Sequence, residues 1–141
     1  MNQPISSHLN PFRVLLAYAC CIAFSLVASA QAAEADLSGS ARGLTLDVYS
    51  RLSPLEINRI HSWEVVVSDA EGPITDAEIV ITGGMPEHNH GMPTQPQITA
   101  ELAPGRYLLE GVRFHMPGLW RMEARITRDG RPITLTIDFE L

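Results

Sequence analysis

The sequence predicts an all-β fold, an immunoglobulin-like antiparallel β-sandwich of about seven strands that follows an N-terminal signal peptide. Three observations lead to this prediction. Apolar and polar residues alternate with a period of two in most runs after residue 42. Pro and Gly residues separate these runs at the short intervals typical of a sandwich. No run has the period of an amphipathic helix.

The first thirty residues are interpreted as a secretory signal. Arg13 supplies positive charge, Val14 to Val27 is an almost unbroken apolar run, and Ala28-Ser29-Ala30 matches a small-residue cleavage site. This run of fourteen residues is shorter than the ~20 residues that a membrane-spanning helix requires. We therefore expect a periplasmic or secreted protein, cleaved near Ala30.

The composition of the mature chain argues against several classes of function. Cys20 and Cys21 lie inside the signal, so the mature chain has neither a disulfide nor a thiolate. Nine arginines then face sixteen acidic residues, which gives a formal charge of −7, and the chain has no lysine. A negative surface without a basic run argues against nucleic acid as a partner.

Domain organisation follows from the alternating runs. We predict a short polar leader over residues 31–42 and one sandwich domain over residues 43–141. The predicted strands, in order, are Gly43 to Tyr49, Ile60 to Val67, Ala77 to Thr82, Ile98 to Leu102, Arg106 to Val112, Trp120 to Thr127 and Leu135 to Leu141.

Each predicted strand has an apolar face or a turn signal that supports it. The first strand carries Leu44, Leu46 and Val48 on one face, and the second carries Trp63, Val65 and Val67 in phase with His61. The third strand carries Ile79 and Ile81, and the fifth carries Tyr107 and Leu109. The sixth strand carries Trp120, Met122, Ala124 and Ile126, and the seventh carries Leu135, Ile137, Phe139 and Leu141. Glu71-Gly72-Pro73 precedes the third strand, Pro104-Gly105 joins the fourth to the fifth, and Asp129-Gly130 predicts a hairpin between the last two. We assign Met122 to the core and either Trp63 or Trp120 to the buried tryptophan of the sandwich.

Two Pro/Gly-rich loops hold most of the histidine and methionine of the mature chain. The first runs from Met85 to Pro93 and the second from Phe114 to Gly118. Together they contain the candidate metal ligands, which are Met85, His88, His90, Met92, His115 and Met116. Thioether sulfur favours Cu(I), while imidazole accepts Cu(I) or Cu(II), so this set points to copper. In an extended segment His88 and His90 project to the same side and can share one ion.

Other sites fit the sequence less well. Zinc sites rarely use thioether, and the helical His-Glu-x-x-His pattern is absent because Glu87-His88-Asn89-His90 lies among prolines. No Gly-x-Ser-x-Gly elbow exists. His61 lies in phase with a core face, and we interpret it as a hydrogen-bonded core residue that could also join the two loops. Packing of the methionines and solvation of the histidines remain the alternative to metal binding.

The chain resembles the YtkA-like family of small exported β-sandwich proteins. The resemblance rests on Asn58 with His61-Ser62-Trp63, on Gly84 to Thr94, and on Phe114 to Gly118 with Trp120. It implies the fold more than an activity. The domain is more loosely similar to CopC-type periplasmic copper carriers, but it lacks the N-terminal histidine of their Cu(II) site, so Cu(I) is preferred.

The sequence therefore predicts an exported, non-enzymatic module that carries or buffers one copper ion. The alternative is a non-metal interaction or assembly domain that docks on a periplasmic or membrane partner such as an oxidase. A copper enzyme would need an open coordination position and a substrate cleft, and no second catalytic constellation supports one.

Overall fold

The alternating runs form antiparallel strands. A computed structural model describes residues 33–141. Its strands are β1 (Leu37–Ala41), β2 (Leu44–Ser50), β3 (His61–Asp69), β4 (Gly72–Pro73), β5 (Glu78–Met85), β6 (His90–Gly91), β7 (Gln97–Ala103), β8 (Arg106–Val112), β9 (Leu119–Arg128) and β10 (Arg131–Glu140). The predicted all-β sandwich is confirmed. The signal-peptide prediction lies outside the described residues.

Two sheets enclose the core. The first has the strand order β1-β2-β3-β8-β7, with β4 added to β3, and the second has the order β10-β9-β5-β6. The alternating apolar residues of both sheets meet between them, including Leu46, Val65, Leu109, Ile126 and Leu135. Both tryptophans are buried, Trp63 at 1% and Trp120 at 0% exposure, and Met122 is in the core as predicted.

The strand count and the leader differ from the sequence prediction. Residues 37–41, predicted as part of a polar leader, form β1, which pairs with β2 from Leu37 opposite Val48 to Ala41 opposite Leu44. The two-residue strands β4 and β6 were also not predicted. The β1 sequence Leu-Ser-Gly-Ser-Ala alternates between partly buried and exposed positions, and Leu37 and Ala41 pack against the core. Only Leu37 is a large apolar residue, so this alternation is a weak signal in the sequence.

The hairpin predicted at Asp129-Gly130 is confirmed. Arg128 pairs with Arg131 across a two-residue turn, and both turn residues have positive φ, 49° at Asp129 and 72° at Gly130. Two consecutive positive φ values define the type I′ turn, whose twist matches that of antiparallel strands. This turn sets the register in which β10 pairs with β9 along its whole length.

The pairing of β5 with β9 decides where the two His/Met loops lie. The strands are antiparallel, and Gly84 near the end of β5 is opposite Arg121 near the start of β9. The loop that follows β5 therefore emerges beside the loop that leads into β9. One end of the second sheet thus carries both motifs, which are separated by twenty residues in sequence.

Candidate metal centre

The first His/Met loop is a tight hairpin between β5 and β6. The backbone N–H groups of His88 and Asn89 both donate to the Met85 carbonyl, each at 3.1 Å, and Asn89 has a φ of 52°. Gly84 permits close approach of β6, because a Cβ atom there would lie 2.8 Å from the His90 carbonyl oxygen. The hairpin consequently sets His90 directly opposite Met85.

The second His/Met loop is anchored along its length. The Asn58 N–H donates to the Phe114 carbonyl at 2.7 Å, and the Trp120 indole Nε1–H donates to the Met116 carbonyl at 3.0 Å. Gly118 and Leu141 exchange two backbone hydrogen bonds of 2.8 and 3.1 Å. These bonds hold the His115-Met116 segment against the end of the second sheet.

Three imidazole rings from the two loops lie in a row. The ring centroids of His90 and His115 are 4.9 Å apart, and those of His88 and His90 are 5.8 Å apart with nearly parallel planes. An imidazole nitrogen binds a first-row metal at about 2.0 Å, so two rings that share an ion have centroids roughly 5–6 Å apart. Both neighbouring pairs have spacings compatible with a shared ion after small side-chain rotations.

The nitrogen atoms of these rings differ in their surroundings. The Nδ1 atom of His115 is buried and has no hydrogen-bond partner among the described residues. The Nδ1 atom of His90 lies 3.4 Å from the Gly91 carbonyl oxygen, an arrangement that favours a proton on Nδ1 and a lone pair on Nε2. Buried polar atoms normally have a partner, so the unpaired His115 nitrogen fits a ligand position.

The three candidate thioethers face the core more than the solvent. Met85 is the last residue of β5 and only 2% exposed, and a Cβ atom at Gly118 would lie 3.1 Å from its terminal methyl group. Its side chain therefore extends from beside His90 to the second loop. Met116 is half-buried against the core.

Met92 packs elsewhere in the interior. It is half-buried and lines a small internal cavity with Trp63 and Phe114. Its terminal methyl group would lie 3.1 Å from a Cβ atom at Gly83. The symmetric flanking of the histidines by Met85 and Met92, which the sequence indicated, therefore becomes two different packing environments in the fold.

Nitrogen and oxygen ligands alone do not complete a site. Over residues 33–141, no group of three or more His, Cys, Asp or Glu side chains is arranged to hold a metal ion. A metal ion at the paired imidazoles would therefore need a further donor, such as the thioether of Met85 opposite His90. Such a set of imidazole and thioether donors would be soft, which would suit Cu(I).

His61 belongs to the aromatic core. Its ring neighbours are Trp63 and Phe114, each with its centroid 5.9 Å away, and its Nδ1 atom is 3.1 Å from the Arg59 carbonyl oxygen. Burial lowers the pKa of His61 below the ordinary value of 6.5, against the raising effect of the Arg59 hydrogen bond. The interpretation of His61 as a hydrogen-bonded core residue agrees with these contacts.

We expect His61 to make folding stability depend on pH. Below about pH 6.5 the unfolded chain binds a proton at this side chain that the folded chain does not bind until its lower pKa is reached. The free energy of unfolding should therefore fall as pH decreases through this range. Urea unfolding of the wild type and His61→Phe at pH 7.5 and 5.5 (chosen to bracket about 6.5) measures it, and an equal pH dependence in both proteins would contradict this role.

Comparison with known proteins assigns the family. The family model described as YtkA-like matches residues 41–125. The chain belongs to the YtkA-like family. It is similar in structure to a DUF4426 family protein from Pseudomonas aeruginosa PAO1, with a TM-score of 0.54 and 11% identity over 74% of this chain and 94% of the other. That likeness concerns the fold alone. No curated protein matches the chain.

Beside His90, this YtkA-like domain has an open groove of about 470 Å³. Thr82, His90, Arg121 and Glu123 are among its lining residues. Arg121 donates two hydrogen bonds of 2.7 Å to Asp138, which lowers the pKa of that carboxyl group. The groove therefore gives His90 access to solvent, and the guanidinium group of Arg121 on its wall is paired with Asp138.

Trp120 is the part of the site that sequence reasoning missed. It was predicted only as a core residue, but its ring lies 5.6 Å from that of His115 and 6.4 Å from that of His90, and its indole N–H holds the Met116 carbonyl. A tryptophan four residues after Met116 carries no signal of this bond in the sequence.

Within residues 33–141 the YtkA-like domain has no helix long and apolar enough to span a bilayer.

Proposed function

We propose that this YtkA-like domain is an exported copper-binding module, a carrier or buffer that holds Cu(I) between His90 and His115. The supporting observation is the buried, unpaired Nδ1 atom of His115 beside the His90 ring, 4.9 Å between centroids. A thioether from Met85 or Met116 supplies the third ligand. Met85 lies opposite His90 and reaches Gly118, and Met116 follows His115 directly.

The chemistry of the donors favours Cu(I) over other ions. Thioether and imidazole ligands suit the soft monovalent ion. The module makes and breaks no covalent bond of a substrate, so it needs no catalytic group.

A copper titration tests this function. The purified protein should bind about one Cu(I) per chain under reducing conditions and bind Cu(II) more weakly under oxidising conditions, because the ligand set is soft. Competition with a chromogenic Cu(I) chelator gives the affinity, and metal analysis after gel filtration gives the stoichiometry. Absence of uptake in both oxidation states would refute the proposal.

A second function, docking on a periplasmic or membrane protein partner, has its own support. Ile57 and Ile60 are 38% and 65% exposed, on the segment that Asn58 joins to the second His/Met loop. These two isoleucines lie three residues apart and provide apolar surface beside the motif, and contiguous surface of this kind marks protein contacts. If the protein binds no copper but co-purifies with one partner, and Ile60→Ser abolishes that association, docking becomes the better assignment.

A further inference from the structure

Exposure to solvent decreases along the row of three imidazole rings, from His88 through His90 to His115. His88 is exposed on the hairpin turn, His90 is half-buried at the start of β6, and His115 is half-buried with its Nδ1 atom fully enclosed. A hydrated ion cannot reach the enclosed nitrogen without first losing water. The outermost ring is therefore the one that a solvated ion meets first.

From this order we infer that His88 is a transfer residue, which takes up Cu(I) from solvent and passes it to His90 and His115. The inference rests on the proposed copper function and adds a route to it. His88 stacks on His90 at 5.8 Å and 19°, and His90 meets His115 at 4.9 Å. These two ring pairs give the ion a path of two steps, because His90 belongs to both pairs.

Each step on this path is a ligand exchange. With the ion held by His88 and His90, a Cu–N bond to the His115 Nδ1 atom forms while the Cu–N bond to His88 breaks. Copper remains Cu(I) throughout and the imidazoles remain neutral, so no oxidant, reductant or proton is consumed. The thioether then completes the inner ligand set, which leaves His88 free for the solvent.

The turn keeps His88 near this path. Its backbone N–H donates to the Met85 carbonyl at 3.1 Å, and the preceding Pro86 fixes the backbone as the chain leaves β5. The ring is thereby held beside His90 while it stays exposed. Such a residue lowers the barrier for entry and exit without contributing to the final bound state.

Transfer rates distinguish this role from that of a resident ligand. We expect His88→Ala to slow both Cu(I) association and Cu(I) release to a chelator by about tenfold, because the barrier rises in both directions while affinity stays within about twofold. Loss of a resident ligand would instead accelerate release and weaken affinity. Anaerobic stopped-flow mixing of the full chain with Cu(I) stabilised by acetonitrile, and of the loaded chain with a Cu(I)-specific chelator, measures both rates.

Glu87→Gln is the matched control, since Glu87 is an exposed neighbour on the same turn. It should leave both rates unchanged, and circular dichroism should show both variants folded. Faster release by His88→Ala, rates equal to those of the wild type, or equal slowing by Glu87→Gln would each overturn the transfer role while copper binding stands. Failure of the wild type to bind copper would overturn the proposed function and the transfer role together.

Discussion

Replacement of His90 and His115 together with alanine is expected to weaken Cu(I) binding by more than about a hundredfold, since loss of direct ligands exceeds the effect of losing their supporting partners. The two rings are the closest imidazole pair of the described chain, 4.9 Å apart, and His115 provides a buried nitrogen without a partner among residues 33–141. Chelator competition on the purified variant gives the change in affinity.

The double variant should remain folded because both side chains are only half-buried and lie at the end of the sandwich. His61→Phe is the matched control for loss of an imidazole, because the His61 ring packs with Trp63 and Phe114 in the core. It should bind copper as the wild type does. Unchanged copper uptake by the folded double variant would contradict the site assignment.

Trp120→Ala should lower the free energy of unfolding by about 3–5 kcal/mol, the range for truncation of a large aromatic residue in a core. Trp120 has no exposed surface, and its ring packs nearly perpendicular to Phe114, at 5.0 Å, and to His115. Alanine leaves a cavity under the candidate site and removes the hydrogen bond to Met116. Chemical denaturation measures the loss, and a change below about 1 kcal/mol would contradict this packing.

A pair of phenylalanine variants isolates the hydrogen bond. Trp120→Phe loses the indole N–H that holds the Met116 carbonyl, whereas the Trp63 Nε1 atom is buried and has no partner in the described part of the chain. Trp120→Phe should therefore cost about 0.5–1.5 kcal/mol more than Trp63→Phe, the usual net value of one hydrogen bond. Equal losses would show that this bond contributes little to holding the second loop.

The period-two alternation was sufficient to predict the sandwich. Arg106 to Val112 was predicted at the observed bounds, and Asp129-Gly130 was predicted as the hairpin that joins β9 to β10. Strand prediction works here because the buried face of each strand must be apolar at every second residue. It failed at β1, where Leu37–Ala41 alternates between partly buried and exposed positions but contains only one large apolar side chain, Leu37.

Residue chemistry in the sequence also determined which two loops carry the candidate soft ligands, but not how those side chains are arranged. The antiparallel pairing of β5 with β9, with Gly84 opposite Arg121, brings His90 beside His115. The same packing turns Met85 into the core. Local patterns report only the alternation of burial along each strand, whereas contacts between distant residues depend on strand order and register, which the packing of the whole core selects.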